Sequence, residues 1–410
     1  MKLIHTADWH LGQSFHGRER HFEQRRFLDW LLDTLSARRP DALLIAGDIF
    51  DVVNPSLAAQ QLLYDFLVSA HERLPQLDIV MIAGNHDSGA RIELPAPLLA
   101  RLNVHALGRL HYRHDRQPDC DRLAIPLTDA AGEVQAWCLA LPFVRPSELG
   151  ARDEDSANPY LTGASRLHEA LLDAGLRRRS PGQALIAMSH VHLRGASVSA
   201  NSERPIVIGG EESLPASLFP ASFAYVALGH LHRPQRVGEE RLRYSGSPLA
   251  LDFSEAGYHH QVLEVTLDGE HLVGVDSLPV PAPLALERLG PAPLEETLKA
   301  LAYLPAADGD SPPREAWPWL EVRVRLDSPC VDLRARIERA LADRAVRLVS
   351  LSARLQRSEE GPTAATTRET PAPGELFAHS WRQRFDEAPP QSAMDDLNTL
   401  LQEIEDSEHD

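Results

Sequence analysis

The chain has 410 residues, 43% hydrophobic and 24% charged, with 41 Lys and Arg against 59 Asp and Glu for a formal charge of −18. That is enough for two to three domains at about 150 residues each, and the near-average composition excludes a collagen-like, fully disordered or coiled-coil chain. No apolar run approaches the ~18 residues of a membrane span, Asp8 interrupts the start before a signal core forms, and Cys120, Cys138 and Cys330 are too scattered for a disulfide framework, so a soluble cytoplasmic protein without membrane contact is expected.

Residues 1–275 alternate short apolar runs with amphipathic stretches, the pattern of an α/β or layered α+β domain. Five runs share one feature. Leu3 to Ala7 ends at Asp8, Ala42 to Gly47 at Asp48, Ile79 to Gly84 at Asn85, Ala184 to Ser189 at His190, and Ala224 to Gly229 at His230. Each predicts a buried strand with a metal-capable side chain just past its C-terminal end, where open sheets place their ligands. Phe22 to Leu35 and Leu57 to Leu74 carry helical spacing, the second after the start signal Asn54-Pro55-Ser56. Polar, Gly- and Pro-rich loops are expected over 149–159 and 197–213.

After a Pro-rich passage (Pro279, Pro281, Pro283, Pro291, Pro293), residues 276–357 predict a small α+β module: a strand over Leu320 to Leu326, a helix over Cys330 to Leu341 and a strand over Val346 to Leu355. Residues 358–374, rich in Ser, Thr, Pro, Ala and Glu, read as a flexible linker. Residues 375–410 predict two short amphipathic helices, Glu375 to Phe385 and Ser392 to Ile404, too small to bury their apolar faces alone.

Charge is uneven. As an average, −18 argues against a nucleic-acid partner. Residues 358–410, however, hold 3 basic and 13 acidic side chains, whereas Glu321 to Arg357 holds nine Arg against five acids. By itself that basic stretch reads equally as a solvated, ion-paired face or as a phosphate-facing surface.

The chemistry lies in Asp8-Trp9-His10, Gly47-Asp48-Ile49-Phe50-Asp51, Gly84-Asn85-His86-Asp87, His190 and Gly229-His230-Leu231-His232. A two-residue spacing at a strand end, as in Asp8/His10 or His230/His232, lets both side chains enter one cavity. Seven oxygen and nitrogen donors without sulfur (Asp8, His10, Asp48, Asn85, His190, His230 and His232) exceed what one tetrahedral zinc needs. They suit two divalent ions about 3.5 to 4 Å apart with a shared carboxylate, which activate a water and neutralise charge on a phosphoryl group. The hard donors lean toward Mn2+, ahead of iron or magnesium. His86 stands in excess of the ligands and is assigned as proton donor to the leaving alkoxide, with Asp51 as the residue that orients it and a helix cap as Asp51's alternative role. The other histidines are read as surface or packing residues, with His192 the least settled.

These motifs resemble the calcineurin-like metallophosphoesterase superfamily across residues 1–275. The fuller strings Ile4-His5-Thr6-Ala7-Asp8-Trp9-His10-Leu11-Gly12, Ala46-Gly47-Asp48-Ile49-Phe50-Asp51, Ala83-Gly84-Asn85-His86-Asp87-Ser88 and Tyr244-Ser245-Gly246-Ser247-Pro248 are similar to its branch of DNA double-strand-break nucleases, the bacterial counterparts of the eukaryotic Mre nuclease. The resemblance implies a two-sheet sandwich flanked by helices, a capping domain and a C-terminal helix-loop-helix. It implies that Asp8, His10, Asp48 and His232 hold one ion and Asp48, Asn85, His190 and His230 the other. It further implies Mn2+, 3′ to 5′ exonuclease action on double-stranded ends and endonuclease action on single strands and hairpins, in DNA repair, recombination and replication at the nucleoid. The implied partner is an SMC-like ATPase of the SbcC type in a heterotetramer, with the tail helices on its coiled coil. A homodimer through Leu57 to Leu74 and the stretch near Leu94 to Leu102 is implied as well. A stand-alone metallophosphatase or cyclic-nucleotide phosphodiesterase needs neither an Arg-rich module nor a tethered helix pair, and a catalytically dead scaffold has no reason to keep every ligand and His86.

Overall fold

The computed structural model describes residues 1–149, 158–199, 213–309 and 311–355, with separate positions between 377 and 397. The chain falls into two units, Met1–Leu355 and Gln356–Asp410. Two six-stranded sheets form the core of the first. One runs, in spatial order, His271–Pro279, Gln261–Asp268, Lys2–Thr6, Ala42–Ala46, Asp78–Ile82 and Val104–Leu107. The other runs Gln235–Val237, Glu239–Tyr244, Tyr225–Gly229, Ala184–His190, Val134–Leu141 and Ala124–Thr128. The inner strands of both pair in parallel, so their C-terminal ends share a rim.

These strands are apolar on both faces because both faces are covered. In Ala42–Ala46, Leu44 and Ala46 point between the sheets, where they meet Val80, Ile82, Ile186, Met188 and Tyr225. Leu43 and Ile45 point outward, against helices His21–Arg38 and Leu57–Arg73. Helix Pro159–Arg178 covers the second sheet through Leu167, Leu171 and Ala174. The result is a layered α/β sandwich with a helix layer outside each sheet. Helix Leu57–Arg73 starts where its signal predicts, with Ser56 Oγ accepting from the Ala59 N–H at 3.2 Å.

The smaller module has three parallel strands, Leu286–Pro293, Trp319–Leu326 and Arg347–Leu355, with helices Leu294–Ala302 and Leu333–Ala340 against them. Its first strand lies in the Pro-rich passage and was not expected as a strand. It is an edge strand with a register shift between Leu289 and Ala292, where Pro291 and Pro293 remove donors without breaking a central ladder. The expected boundary at residue 275 falls inside strand His271–Pro279, which completes the first core sheet. Where the module meets the core, Trp319 is fully buried beside Phe15 and Phe253, with ring centroids of Trp319 and Phe15 4.6 Å apart. The Arg20 guanidinium lies 5.3 Å from the Phe15 ring and 5.5 Å from that of Trp319. Its Nη1 donates to Gln13 Oε1 at 2.6 Å and to the Ala250 carbonyl at 2.8 Å.

In the second unit Phe377 and Trp381 are helical, with ring centroids 5.6 Å apart, and Ser392 to Met394 form a helical turn. The linker expected over 358–374 and most of the helix pair expected over 375–410 lie outside the described residues.

Candidate metal centre

The parallel pairing continues past the strand ends as backbone bonds: the Asp8 N–H donates to the Gly47 carbonyl and the His10 N–H to that of Asp48, both at 3.0 Å. Residues Asp8, His10, Asp48 and His230 all take positive φ (56°, 45°, 47° and 101°), a region that costs side-chain-bearing residues about 1–3 kcal/mol each and that clusters at functional sites. Close approach of the strand ends needs glycine beside them. A Cβ on Gly84 would stand 2.2 Å from Asp48 Oδ1, and one on Gly47 2.3 Å from His190 Nδ1.

Backbone donors orient the two carboxylates. The His230 N–H donates to Asp8 Oδ1 and the His86 N–H to Asp48 Oδ1, each at 2.9 Å. Each aspartate therefore keeps its Oδ2 for the cavity. Asp8 Oδ2 is buried and has no hydrogen-bond partner among the described residues, and the same is true of His10 Nε2. Asp48 Oδ2 stands 3.6 Å from His10 Nε2 and 3.3 Å from His190 Nε2. Asn85 Oδ1 is 2.9 Å from His190 Nε2 and 3.1 Å from His230 Nδ1. Ligands about 2.1 Å from one ion and at right angles to each other stand about 3 Å apart, so these separations fit donors that share ions. Two compact groups result, Asp8/His10/His232 and Asp48/His190/His230, with donor atoms within 4.8 Å of one another. A third, His10/Asp48/His86, overlaps both. Orphaned buried donors and a carboxylate oxygen between two imidazoles are what a divalent ion pair would satisfy.

The imidazole tautomers follow from their outer bonds. His190 Nδ1 meets the Ala46 carbonyl at 2.9 Å and His10 Nδ1 meets Asp51 Oδ1 at 3.2 Å, which leaves each Nε2 for the cavity. His86 Nδ1 meets Asp51 at 2.8 Å through the main-chain carbonyl. Asp51 thus meets both rings, His86 through its main-chain carbonyl and His10 through its carboxylate. Asp87 staples two loops together, accepting from the N–H groups of Ile49 (3.0 Å), Phe50 (2.9 Å) and Gly84 (2.9 Å). The Ser247 N–H donates to the His232 carbonyl at 3.1 Å, which gives the Ser-Gly-Ser-Pro element a place against the ligand loop. His192 lies with its ring 6.4 Å from that of His230, and His5 is a packing residue bonded to Tyr225 Oη at 2.8 Å.

Charge is strongly coupled in this cavity. Burial pushes the Asp8 carboxyl up to about 7 against the pull of His190 and His232. Burial alone would depress His190, but Asp48 and Asp8 outweigh it and hold that imidazole at about 9. Despite burial, Asp48 sits well below the usual carboxylate range beside His190 and His10. Burial drives His10 and His230 down. Without cations the cavity thus stores protons that divalent ions would displace.

Fold and site define a calcineurin-like phosphoesterase, and the model of that family matches residues 1–234. A second family model, described as a type 5 capsule protein repressor C-terminal domain, matches residues 282–385. The SbcD component of nuclease SbcCD from Rhodobacter capsulatus is 42% identical over 90% of this chain and 92% of that protein. Its counterpart in Escherichia coli K12 is 32% identical over 90% and 89%, and that of Bacillus subtilis 38% identical over 64% and 65%. The chain belongs to the SbcD family of nucleases, phosphodiester hydrolases that use divalent metal.

Proposed function

We propose that the chain is the nuclease half of a DNA end-processing machine. Its two ions, Mn2+ by donor hardness, are held by Asp8, His10, Asp48 and His232 on one side and by Asp48, Asn85, His190 and His230 on the other. The observation that carries this reading is the Asp48 carboxylate: Oδ1 is pinned by the His86 N–H, and Oδ2 faces both His10 and His190. When bound, the ions supply a nucleophilic oxygen and neutralise the scissile phosphate. The chain's own part is to position and to move a proton. With Nδ1–H donating to the Asp51 carbonyl, His86 acts as the imidazolium: its second proton, on Nε2, passes to the departing alkoxide and leaves the ring neutral.

The substrate is double-stranded DNA ends, degraded 3′ to 5′, together with single strands and hairpins cut internally. The partner is an SbcC-type SMC-like ATPase in a heterotetramer, and the name of the three relatives supports that pairing. Homodimer contact runs through the exposed Leu57 (84% exposed), Leu94 (81%) and Leu98 (76%), which is large apolar area for a free surface. Among the described residues no helix is long and apolar enough to cross a membrane, and action at the nucleoid follows from the substrate.

The test is a Mn2+-dependent assay on a hairpin-ended duplex, with and without the ATPase, beside a nitrophenyl phosphodiester. Cleavage of both substrates, with the ATPase raising only the first, is expected. Hydrolysis of the small ester without any DNA cleavage would favour a stand-alone phosphodiesterase.

A further inference from the structure

His232 meets on its outer nitrogen a residue that lies outside all the ligand motifs. Glu255 is fully buried, and its Oε1 lies 2.9 Å from His232 Nδ1. Its Oε2 accepts from the Leu251 N–H at 2.7 Å. A carboxylate with no exposed surface is tolerated only when its oxygens are occupied, and here an imidazole N–H and a backbone N–H occupy them. The carboxylate is aimed by a short turn. Asp252 Oδ1 accepts from the Ser254 N–H at 2.7 Å and the Asp252 carbonyl from the Glu255 N–H at 3.0 Å. Phe253, inside the turn, is buried against Phe15 and Trp319. Gln13 fixes the other side, donating from Nε2 to the Leu251 carbonyl at 2.9 Å.

The geometry points to Glu255 as the positioning residue of the metal centre. It holds His232 as the tautomer protonated on Nδ1, so that the unprotonated Nε2 faces Asp8 and His10. A carboxylate on the far nitrogen also makes an imidazole a stronger donor to a cation. This rests on the reading of His232 as a ligand of one ion and goes beyond it by naming what tunes that ion. The consequence is asymmetric: the ion at Asp8/His10/His232 depends on Glu255, whereas the ion at Asp48/Asn85/His190/His230 relies on the Ala46 carbonyl behind His190.

The test is Mn2+ calorimetry on the full chain, comparing wild type with Glu255→Gln, Glu255→Asp, His232→Ala and the double variant Glu255→Gln/His232→Ala, with a thermal melt of each metal-free protein. Glu255→Gln keeps the shape and removes the charge. Its expected effect is an affinity loss of about 10- to 100-fold for one ion while the other stays within twofold, with partial recovery in Glu255→Asp. In the His232→Ala background, Glu255→Gln should change nothing further, since the two act as one unit. Equal weakening of both ions, or additive losses in the double variant, would overturn the assignment. If Glu255→Gln does not fold, the Glu255→Asp variant enters the same cycle under the same criteria. The underlying reading fails separately: His232→Ala retaining both ions at full affinity would remove His232 from the ligands.

Discussion

Asp51 meets two neighbouring imidazoles, for which different roles are proposed, through different atoms. His10 and His86 are packed edge to face with ring centroids 4.8 Å apart, yet His10 is held by the Asp51 carboxylate and His86 by the Asp51 carbonyl. Replacement His86→Gln keeps size and polarity but cannot transfer a proton, so turnover on DNA should fall by about 10²- to 10⁴-fold with Mn2+ affinity unchanged. Full turnover would take His86 out of the mechanism. The cavity's protons give a second prediction. Ion binding requires Asp8 ionised and His190 neutral, and their metal-free values are about 7 and about 9. Mn2+ affinity should therefore rise with pH up to 9, with two protons released below pH 7 and one between 7 and 9, read by calorimetry in buffers of different ionisation heat. The stability sign is opposite. His190 is raised above its usual 6.5, so the metal-free fold keeps this contribution below that pH and loses it as pH climbs through 9, and the metal-free Tm should fall over the same window.

The strand ends and the loops joining them decide whether the donors meet. Glycine at position 84 is needed because the Asp48 side chain and backbone already fill the space of a Cβ. Gly84→Ala should destabilise the chain by about 1–3 kcal/mol and weaken both ions, because it displaces the carboxylate that faces both groups. At the junction with the smaller module, Trp319→Ala removes a fully buried indole beneath Arg20 and should cost about 3–5 kcal/mol in denaturant unfolding. Much of this was legible in the sequence, because strands buried on both faces leave unbroken apolar runs and each run ended on a polar donor. What was illegible has a physical cause. The edge strand Leu286–Pro293 hid behind prolines that only an edge tolerates, and helix Pro159–Arg178 went unread beside its loop. The Glu255 contact joins residues 23 apart through a turn that only tertiary packing places. The Asp-Phe-Ser-Glu turn after the Ser-Gly-Ser-Pro element was the available signal. Motif spacing brings Asp51 close to His86, but it does not distinguish a carboxylate contact from a carbonyl contact.

Across the molecule, the charge of −18 describes no single surface. The residues from 358 onward hold −10 of it, and the Arg-rich stretch is divided. Arg323 pairs with Glu321, Arg334 with Glu338 and Arg336 with Glu295, so part of that run is an ion-paired face. Among the described residues Arg325 and Arg339 form no ion pair. Charge reversal at Arg325 and Arg339 should lower the salt dependence of duplex binding, and reversal at Arg334 should leave it nearly unchanged. Equal slopes for all three would make the module a solvated face. Leu57→Asp with Leu94→Asp should convert a dimer to a monomer in sedimentation without loss of phosphodiester hydrolysis. The central proposal is a centre of two ions shared by Asp48, and its most direct measurement is the number of Mn2+ ions bound per chain in wild type and in Asp48→Ala. Two ions in the wild type and loss of tight binding of both in the variant are expected; one ion in the wild type, or two retained by Asp48→Ala, would contradict a shared centre.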